Sequence, residues 1–237
     1  MSFLDLFRRK SSLASGVLEG TTDSHSHILF GVDDGIKTLE DSLAVLYFLE
    51  SIGIKTLWCT PHIMDDLATP TQALKSRFQE LQQEYKGNIK LHLAAEYMLD
   101  SEFEKRLEQG DLLTYDGQTV LVETSMNVPP QNFMEIIQNI MNKGYRPLLA
   151  HPERYRYLGM KDYEYLSSIG VHFQLNLPSL TGYYGESAYE KSHELLRKGM
   201  YHRIGSDCHR VQTVQEQYRR EALTKETIKQ IQLCFKQ

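Results

Sequence analysis

The chain has 237 residues, 41% hydrophobic and 24% charged, with 15 Gly and 7 Pro. This excludes a disordered or collagen-like chain and leaves room for a sizeable core. Lys and Arg number 26 against 31 Asp and Glu, a formal net charge of -5, which speaks against a generic nucleic-acid binder because such surfaces run basic. Cys59, Cys208 and Cys234 are too few and scattered for a disulfide framework, and no apolar run approaches the roughly 20 residues of a membrane-spanning helix. A reducing, cytoplasmic location is expected.

The opening MSFLDLFRRK runs apolar then basic, the reverse of a secretory signal. It reads as a frayed or docked N-terminus, with a short amphipathic helix touching a membrane or a partner as the alternative. From residue 20 onward, short β-branched runs alternate with amphipathic ones. Strands are expected over 21–28, 55–61, 89–97, 119–124, 146–151, 171–177 and 201–207. Helices are expected near 38–52, 70–86, 130–143, 161–169, 186–198 and 213–234. Gly53, Gly87, Gly144, Gly170 and Gly199 each precede a strand, as helix C-caps do. Seven strands with helices between most of them mean a parallel sheet with helical crossovers. With no Gly-rich phosphate loop after the first strand, a closed barrel is favoured over an open sheet. One domain over 21–237, preceded by an extension over 1–20, is the economical organisation.

In such a barrel, function sits at the carboxyl ends of the strands. The ionisable residues gather there: Asp23, His25 and His27 with Asp33 and Asp34 after strand one, then His62, Glu96, Glu123, His151, and finally Asp207 and His209. His25 and His27 are two apart, so on a strand they share a face, and Asp207 and His209 repeat that spacing on the last strand. Imidazole and carboxylate donors of this kind suit Mn, Fe or Zn. The nine candidates His25, His27, Asp34, His62, Glu96, Glu123, His151, Asp207 and His209 exceed the needs of one ion, so two or three are expected, with Glu96 a bridge. The other histidines, His92, His172, His193 and His202, read as ordinary polar groups, His92 through a hydrogen bond inside the barrel.

A cysteine nucleophile is disfavoured. Asp65 and Val214 stand where a cysteine phosphatase would place its arginine after Cys59 and Cys208, and Cys208 alternates away from Asp207 and His209. Arg154, in His151-Pro-Glu-Arg154, is the best phosphate contact, and Arg210 is a second candidate. Tyr155 and Tyr157 flank the same loop and are candidates for an aromatic slot.

Asp23-Ser-His25-Ser-His27, Asp33-Asp34-Gly35, Thr60-Pro61-His62, Glu96, His151-Pro-Glu-Arg154 and Gly205-Ser-Asp207-Cys-His209 together resemble the PHP (polymerase and histidinol phosphatase) family. Within it, the chain is most similar to the bacterial capsular-polysaccharide tyrosine phosphatases of the CpsB/CapC/YwqE type, over about residues 22–210. The resemblance implies an α/β fold, a single-domain distorted (β/α)7 barrel of TIM-like kind with a trinuclear metal site. It places His25, His27, Glu96 and Asp207 around one ion, Glu96, Glu123 and His151 around a second, and Asp34, His62 and His209 around a third. Of the two aspartates, Asp34 aligns better than Asp33. The implied reaction is hydrolysis of phosphotyrosine by a metal-held hydroxide, with Arg154, His151 and Asp207 as catalytic residues and the tyrosine-rich tail of a bacterial tyrosine kinase as partner. Alternatives are a small-molecule phosphatase such as one for histidinol phosphate, or a non-catalytic scaffold binding a kinase tail. A proofreading nuclease is disfavoured by the net charge. The extension over 1–20 either docks near a membrane-bound kinase or covers the barrel floor, and the oligomeric state is open.

Overall fold

The computed structural model describes residues 9–235, so residues 1–8 of the opening segment lie outside the description. A ring of parallel strands surrounds a narrow interior, with helices packed outside. The strands are β1 (Thr22–Asp23), β2 (Thr56–Cys59), β3 (His62–Ile63), β4 (Lys90–Leu93), β5 (Glu96–Met98), β6 (Thr119–Glu123), β7 (Arg146–Ala150), β8 (His172–Asn176) and β9 (Arg203–Gly205). β1, β2 and β4 pair in one ladder, and β3, β5, β6, β7, β8 and β9 in another. Two of the expected strands are thus broken, at Thr60-Pro61 and at Ala94-Ala95. The breaks do not separate the neighbours, because Ala94 N–H still donates to Cys59 O and Glu96 N–H to Pro61 O. The last strand closes on the first: Ser24 N–H donates to Ile204 O at 2.9 Å, Asp207 N–H to His25 O at 2.8 Å and His27 N–H to Cys208 O at 3.0 Å. The seven strand positions expected from the sequence therefore form a closed, distorted (β/α)7 barrel.

The helices are α1 (Ser12–Ser15), α2 (Leu39–Ser51), α3 (Thr71–Glu84), α4 (Ser101–Gln109), α5 (Phe133–Asn142), α6 (Met160–Ser168), α7 (Glu186–Arg197), α8 (Val211–Arg219) and α9 (Lys225–Phe235). They form where a cap and an apolar stripe coincide. Thr38 caps α2 by accepting from Asp41 N–H, and Ser42, Val45, Leu46 and Leu49 bury one face. α5 buries Phe133, Ile136, Ile137 and Ile140, each isoleucine contributing about 2 kcal/mol by leaving water. No helix among the described residues is long and apolar enough to cross a membrane.

Three expectations need correction. No helix is expected between the strands at 89–97 and 119–124, yet α4 forms there: Asp100 caps it by accepting from Phe103 N–H and Gly110 ends it in the left-handed region. The single helix expected over 213–234 is two, because the chain turns extended at Arg220 and Leu223 exchanges backbone hydrogen bonds with Lys10 before Thr224 caps α9. Gly53, Gly144, Gly170 and Gly199 do take positive φ after their helices, but Gly87 does not. A side chain at Gly87 would run into Glu50 and Tyr85, so it serves close packing there. Past Lys10 the start of the chain is anchored, with Val17 and Leu18 buried in the main core.

The interior has a thin apolar waist of Ala94, Tyr115, Leu121, Leu148 and Ala150, with Trp58 packed against it. Above and below that waist the inward residues are polar.

Candidate metal centre

The upper mouth is built around the fully buried Glu96 at the start of β5. Its Oε2 lies 3.1 Å from His25 Nε2, 3.2 Å from His27 Nε2 and 3.2 Å from His62 Nδ1, and its Oε1 lies 3.0 Å from His151 Nε2. Glu123, at the end of β6, brings Oε1 to 2.9 Å from His62 Nδ1. Asp207 Oδ1 stands 3.7, 3.4 and 3.4 Å from His25 Nε2, His27 Nε2 and His209 Nδ1. Asp34 closes the outer side, its Oδ1 3.6 Å from His62 Nε2 and 3.4 Å from His209 Nε2. All nine residues singled out from the sequence meet here. They overlap in four donor sets, each within 4.8 Å: His27, Asp34, His62 and His209; His25, Glu96 and His151; His25, His27 and Asp207; His62, Glu96 and Glu123.

Hydrogen bonds on the far side of the rings decide which nitrogens face the centre. His25 Nδ1 is 2.8 Å from Gln174 Oε1, His27 Nδ1 is 2.8 Å from Asp33 Oδ2, and His209 Nδ1 is 2.9 Å from Asp207 O. Each partner only accepts, so each Nδ1 carries the proton and each Nε2 presents a lone pair inward. Those of His25 and His27 meet at 3.1 Å. Buried Glu96 Oε2, His62 Nδ1 and His151 Nδ1 have no hydrogen-bond partner. Lone pairs converging on one another and on carboxylates require a cation between them, so this donor set fits a metal cluster. The carboxylates favour a positive charge here whichever species carries it: burial works against a His25 imidazolium, but Glu96 and then Asp207 outweigh it and raise its pKa to about 9, so a proton competes with a metal cation for Nε2. Asp207 shows the converse, since burial opposes its charge while His25, His151 and His209 hold it well below the usual carboxylate range.

Backbone strain marks the same place. His151 (φ 32°) and Asp207 (φ 52°) are the only non-glycine residues with positive φ among the described residues. This corrects the strand-parity argument for Asp207 and His209. β9 ends at Gly205, and a left-handed turn at Asp207 delivers both side chains.

The two neighbouring aspartates divide their roles. Asp34 is exposed and faces the imidazoles, while Asp33 is buried, anchors His27 and accepts from Gly35 and His62 N–H. Arg154 Nη1 donates to Asp207 Oδ2 at 2.9 Å, and its guanidinium lies 4.2 Å from the Tyr184 ring centroid. Arg210 is exposed at the start of α8, beside a cavity of about 330 Å³ that also touches Lys37, Asp34 and His209. Tyr155 is fully buried, so the aromatic beside Arg154 is Tyr184 rather than Tyr155 or Tyr157. Glu153 is buried as a knot that accepts from Asn176 N–H, Ser179 Oγ and Tyr201 OH. Cys59 and Cys208 are buried and burial pushes both thiols up, which leaves no thiolate for catalysis.

A family model for capsular polysaccharide synthesis, CpsB/CapC, matches residues 21–231. The chain belongs to the CpsB/CapC family. Within the family it is 29% identical over 198 residues to the tyrosine-protein phosphatase YwqE of Bacillus subtilis, covering 81% of this chain and 78% of that one. It is 29% identical over 199 residues to the tyrosine-protein phosphatase CpsB of Streptococcus pneumoniae, covering 79% and 82%. A solved structure from work on those two proteins, described as unique metal-dependent tyrosine phosphatases, superposes with a TM-score of 0.73 at 25% identity over 90% of this chain and 86% of that one.

The CpsB/CapC fold also explains what the sequence did not signal. Gln174, Asn176 and Tyr184 carry no charge, yet Gln174 orients His25, and Asn176 Nδ2 holds Asp207 Oδ2 at 2.8 Å. Their position at and after the end of β8, on the same rim, was the one available clue.

Proposed function

We propose that this chain is a metal-dependent protein-tyrosine phosphatase, a phosphoric monoester hydrolase acting on phosphotyrosine in protein substrates. The observation that carries the reading is the two-sided use of Asp207. One of its oxygens faces the imidazoles and the other accepts from Arg154. Among the described residues the Arg154 guanidinium hydrogen-bonds only to Asp207, so its other N–H groups remain for two phosphate oxygens. A phosphate gripped there stands directly over the donor cluster.

The residues His25, His27, Asp34, His62, Glu96, Glu123, His151, Asp207 and His209 would hold two or three Mn, Fe or Zn ions, with Glu96 shared. Such ions supply a nucleophilic oxygen at neutral pH and neutralise the phosphate's charge. The chain's own contribution is orientation. Gln174 and Asp33 fix the His25 and His27 rings, and Asn176 fixes Asp207. The Tyr184 ring lies 4.2 Å from the Arg154 guanidinium and limits its swing, and Arg210 at the rim is a second phosphate contact. The family's link to capsular polysaccharide synthesis supports a substrate in that pathway, the tyrosine-rich tail of a bacterial tyrosine kinase, met in the cytoplasm.

The test is phosphate release from a phosphotyrosine peptide beside histidinol phosphate, on metal-analysed protein with and without a chelator. Chelator-sensitive release from the peptide is expected. Release from histidinol phosphate alone would move the chain to small-molecule phosphatases, and no release with metals bound would leave a binding scaffold.

A further inference from the structure

The opposite end of the barrel carries a second, differently charged constellation. Strand register places it on the inward face, where Lys90 and Arg146 open to solvent at the floor. Leu121 and Leu148 are waist residues and register partners, so Arg146, two residues before Leu148 on β7, also points inward. His172 pairs with Leu148 on the same face. Arg203 pairs with Gln174, which is two residues beyond His172 on β8. On the other side Trp58 packs on the waist and pairs with His92, and Lys90 shares the parity of His92. Each of these residues stands at or near the first residue of its strand, so the five basic or imidazole side chains rim the barrel floor.

Their neighbours neutralise them only in part. Among the described residues Lys90, Arg146 and Arg203 form no ion pair. The nearby Asp116 accepts from Gln118 N–H, Thr119 N–H and Thr119 Oγ1, and its single negative charge acts on Arg203 and His172 without pairing directly with either. Aromatic faces take the place of carboxylates. Arg203 lies 4.5 Å from the Tyr115 centroid, Trp58 packs on Tyr115 at 4.7 Å, and His92 stacks on Trp58 at 4.5 Å. His172 stacks on His202 at 3.7 Å. Neither His92 nor His172 has a side-chain hydrogen bond among the described residues, contrary to the expectation for His92. Burial above all, reinforced by His202, Arg146 and Arg203 and opposed by Asp116, pushes the His172 pKa down to about 4. A cavity of about 290 Å³ opens against Arg203 and His202, walled by Thr22, Ser24, Cys234 and Phe235.

We infer that the barrel floor is a binding site for a small multiply charged anion of the phosphate or diphosphate class, free or carried on an organic molecule. Guanidinium groups outside any ion pair supply the charge and the N–H donors for its oxygens. The flat His92–Trp58 pair offers a face for a carrier's ring. The site is distinct from the upper mouth, from which the apolar waist separates it.

Trp58 is the only tryptophan of the chain, so its emission reports this site directly. Holoenzyme is titrated at constant ionic strength with inorganic phosphate, with uridine diphosphate, and with chloride as control. A saturable change in Trp58 emission is expected with at least one phosphate probe and none with chloride. Arg146→Gln, an exposed position that the fold does not depend on, weakens it by at least about tenfold, as does Arg203→Gln. Arg154→Ala leaves it in place. Tighter binding of uridine diphosphate than of phosphate assigns the ligand to an organic carrier, and equal binding to the free anion. No saturable change, a change that survives Arg146→Gln, or one lost in Arg154→Ala would overturn the site. Because the readout is binding at Trp58, it stands or falls independently of the phosphatase reading.

Discussion

The two ends of this barrel are made by the same strands and have opposite chemistry. Read inward along β4 and β5, the chain passes Lys90 and His92 at the floor, Ala94 at the waist and Glu96 at the mouth. Along β7 it passes Arg146, Leu148 and Ala150, and His151 follows. At the mouth, donors carrying lone pairs face one another, and only a cation reconciles them. At the floor, cations face aromatic rings and solvent outside any ion pair, a setting that favours an anion. The difference teaches that a barrel strand sorts charge along its length, since alternation gives it one inward residue per layer and the apolar waist isolates the layers.

Substitutions separate the two ends. Glu96→Gln removes the carboxylate that four imidazoles share, and it is expected to lower phosphotyrosine-peptide turnover by about a thousandfold or more, with loss of bound metal on elemental analysis. Asp33→Asn touches no donor set but releases the His27 ring. Its expected cost is about 10- to 100-fold in metal affinity or activity, read by titrating metal back into chelated protein. Arg154→Ala should lower turnover by at least about tenfold at unchanged metal content, and equal kinetics would remove it from the mechanism.

At the floor the sign of the pH effect is distinctive. His172 has a folded pKa of about 4, below its unfolded value of about 6.5, so the unfolded chain binds more protons between those values. The native state therefore loses stability as pH falls from about 6.5 toward 4. His172→Asn should flatten that slope in urea unfolding at pH 5 and pH 7, and an identical slope would contradict a depressed His172 pKa. The smallest effects belong to Cys59→Ser and Cys208→Ser, expected to leave turnover largely intact. Abolished activity with fold and metals preserved would contradict a metal-based reaction.

Much of the mouth was legible because its residues are charged or imidazole and stand at strand ends. Less was legible wherever function depends on shape. Asp207 and His209 have the right spacing for a strand, but a left-handed turn brings them in. Gln174 and Asn176 are neutral, so nothing in β8 announces that they orient His25 and Asp207. No helix is expected in the stretch between the strands at 89–97 and 119–124, although Asp100 and Gly110 bracket α4 as its caps. The break after α8 depends on Leu223 meeting Lys10, some two hundred residues away in sequence, which no local pattern records. The floor was invisible for a related reason: His92, His172 and Arg203 share a face only once the register of separate strands is known.

The most direct test of the mouth is metal content measured together with turnover on the same purified protein. The account predicts two or three ions per chain, phosphotyrosine hydrolysis that disappears on chelation and returns with metal, and both lost together in Glu96→Gln. A chain that hydrolyses phosphotyrosine at full rate with no metal bound would contradict it.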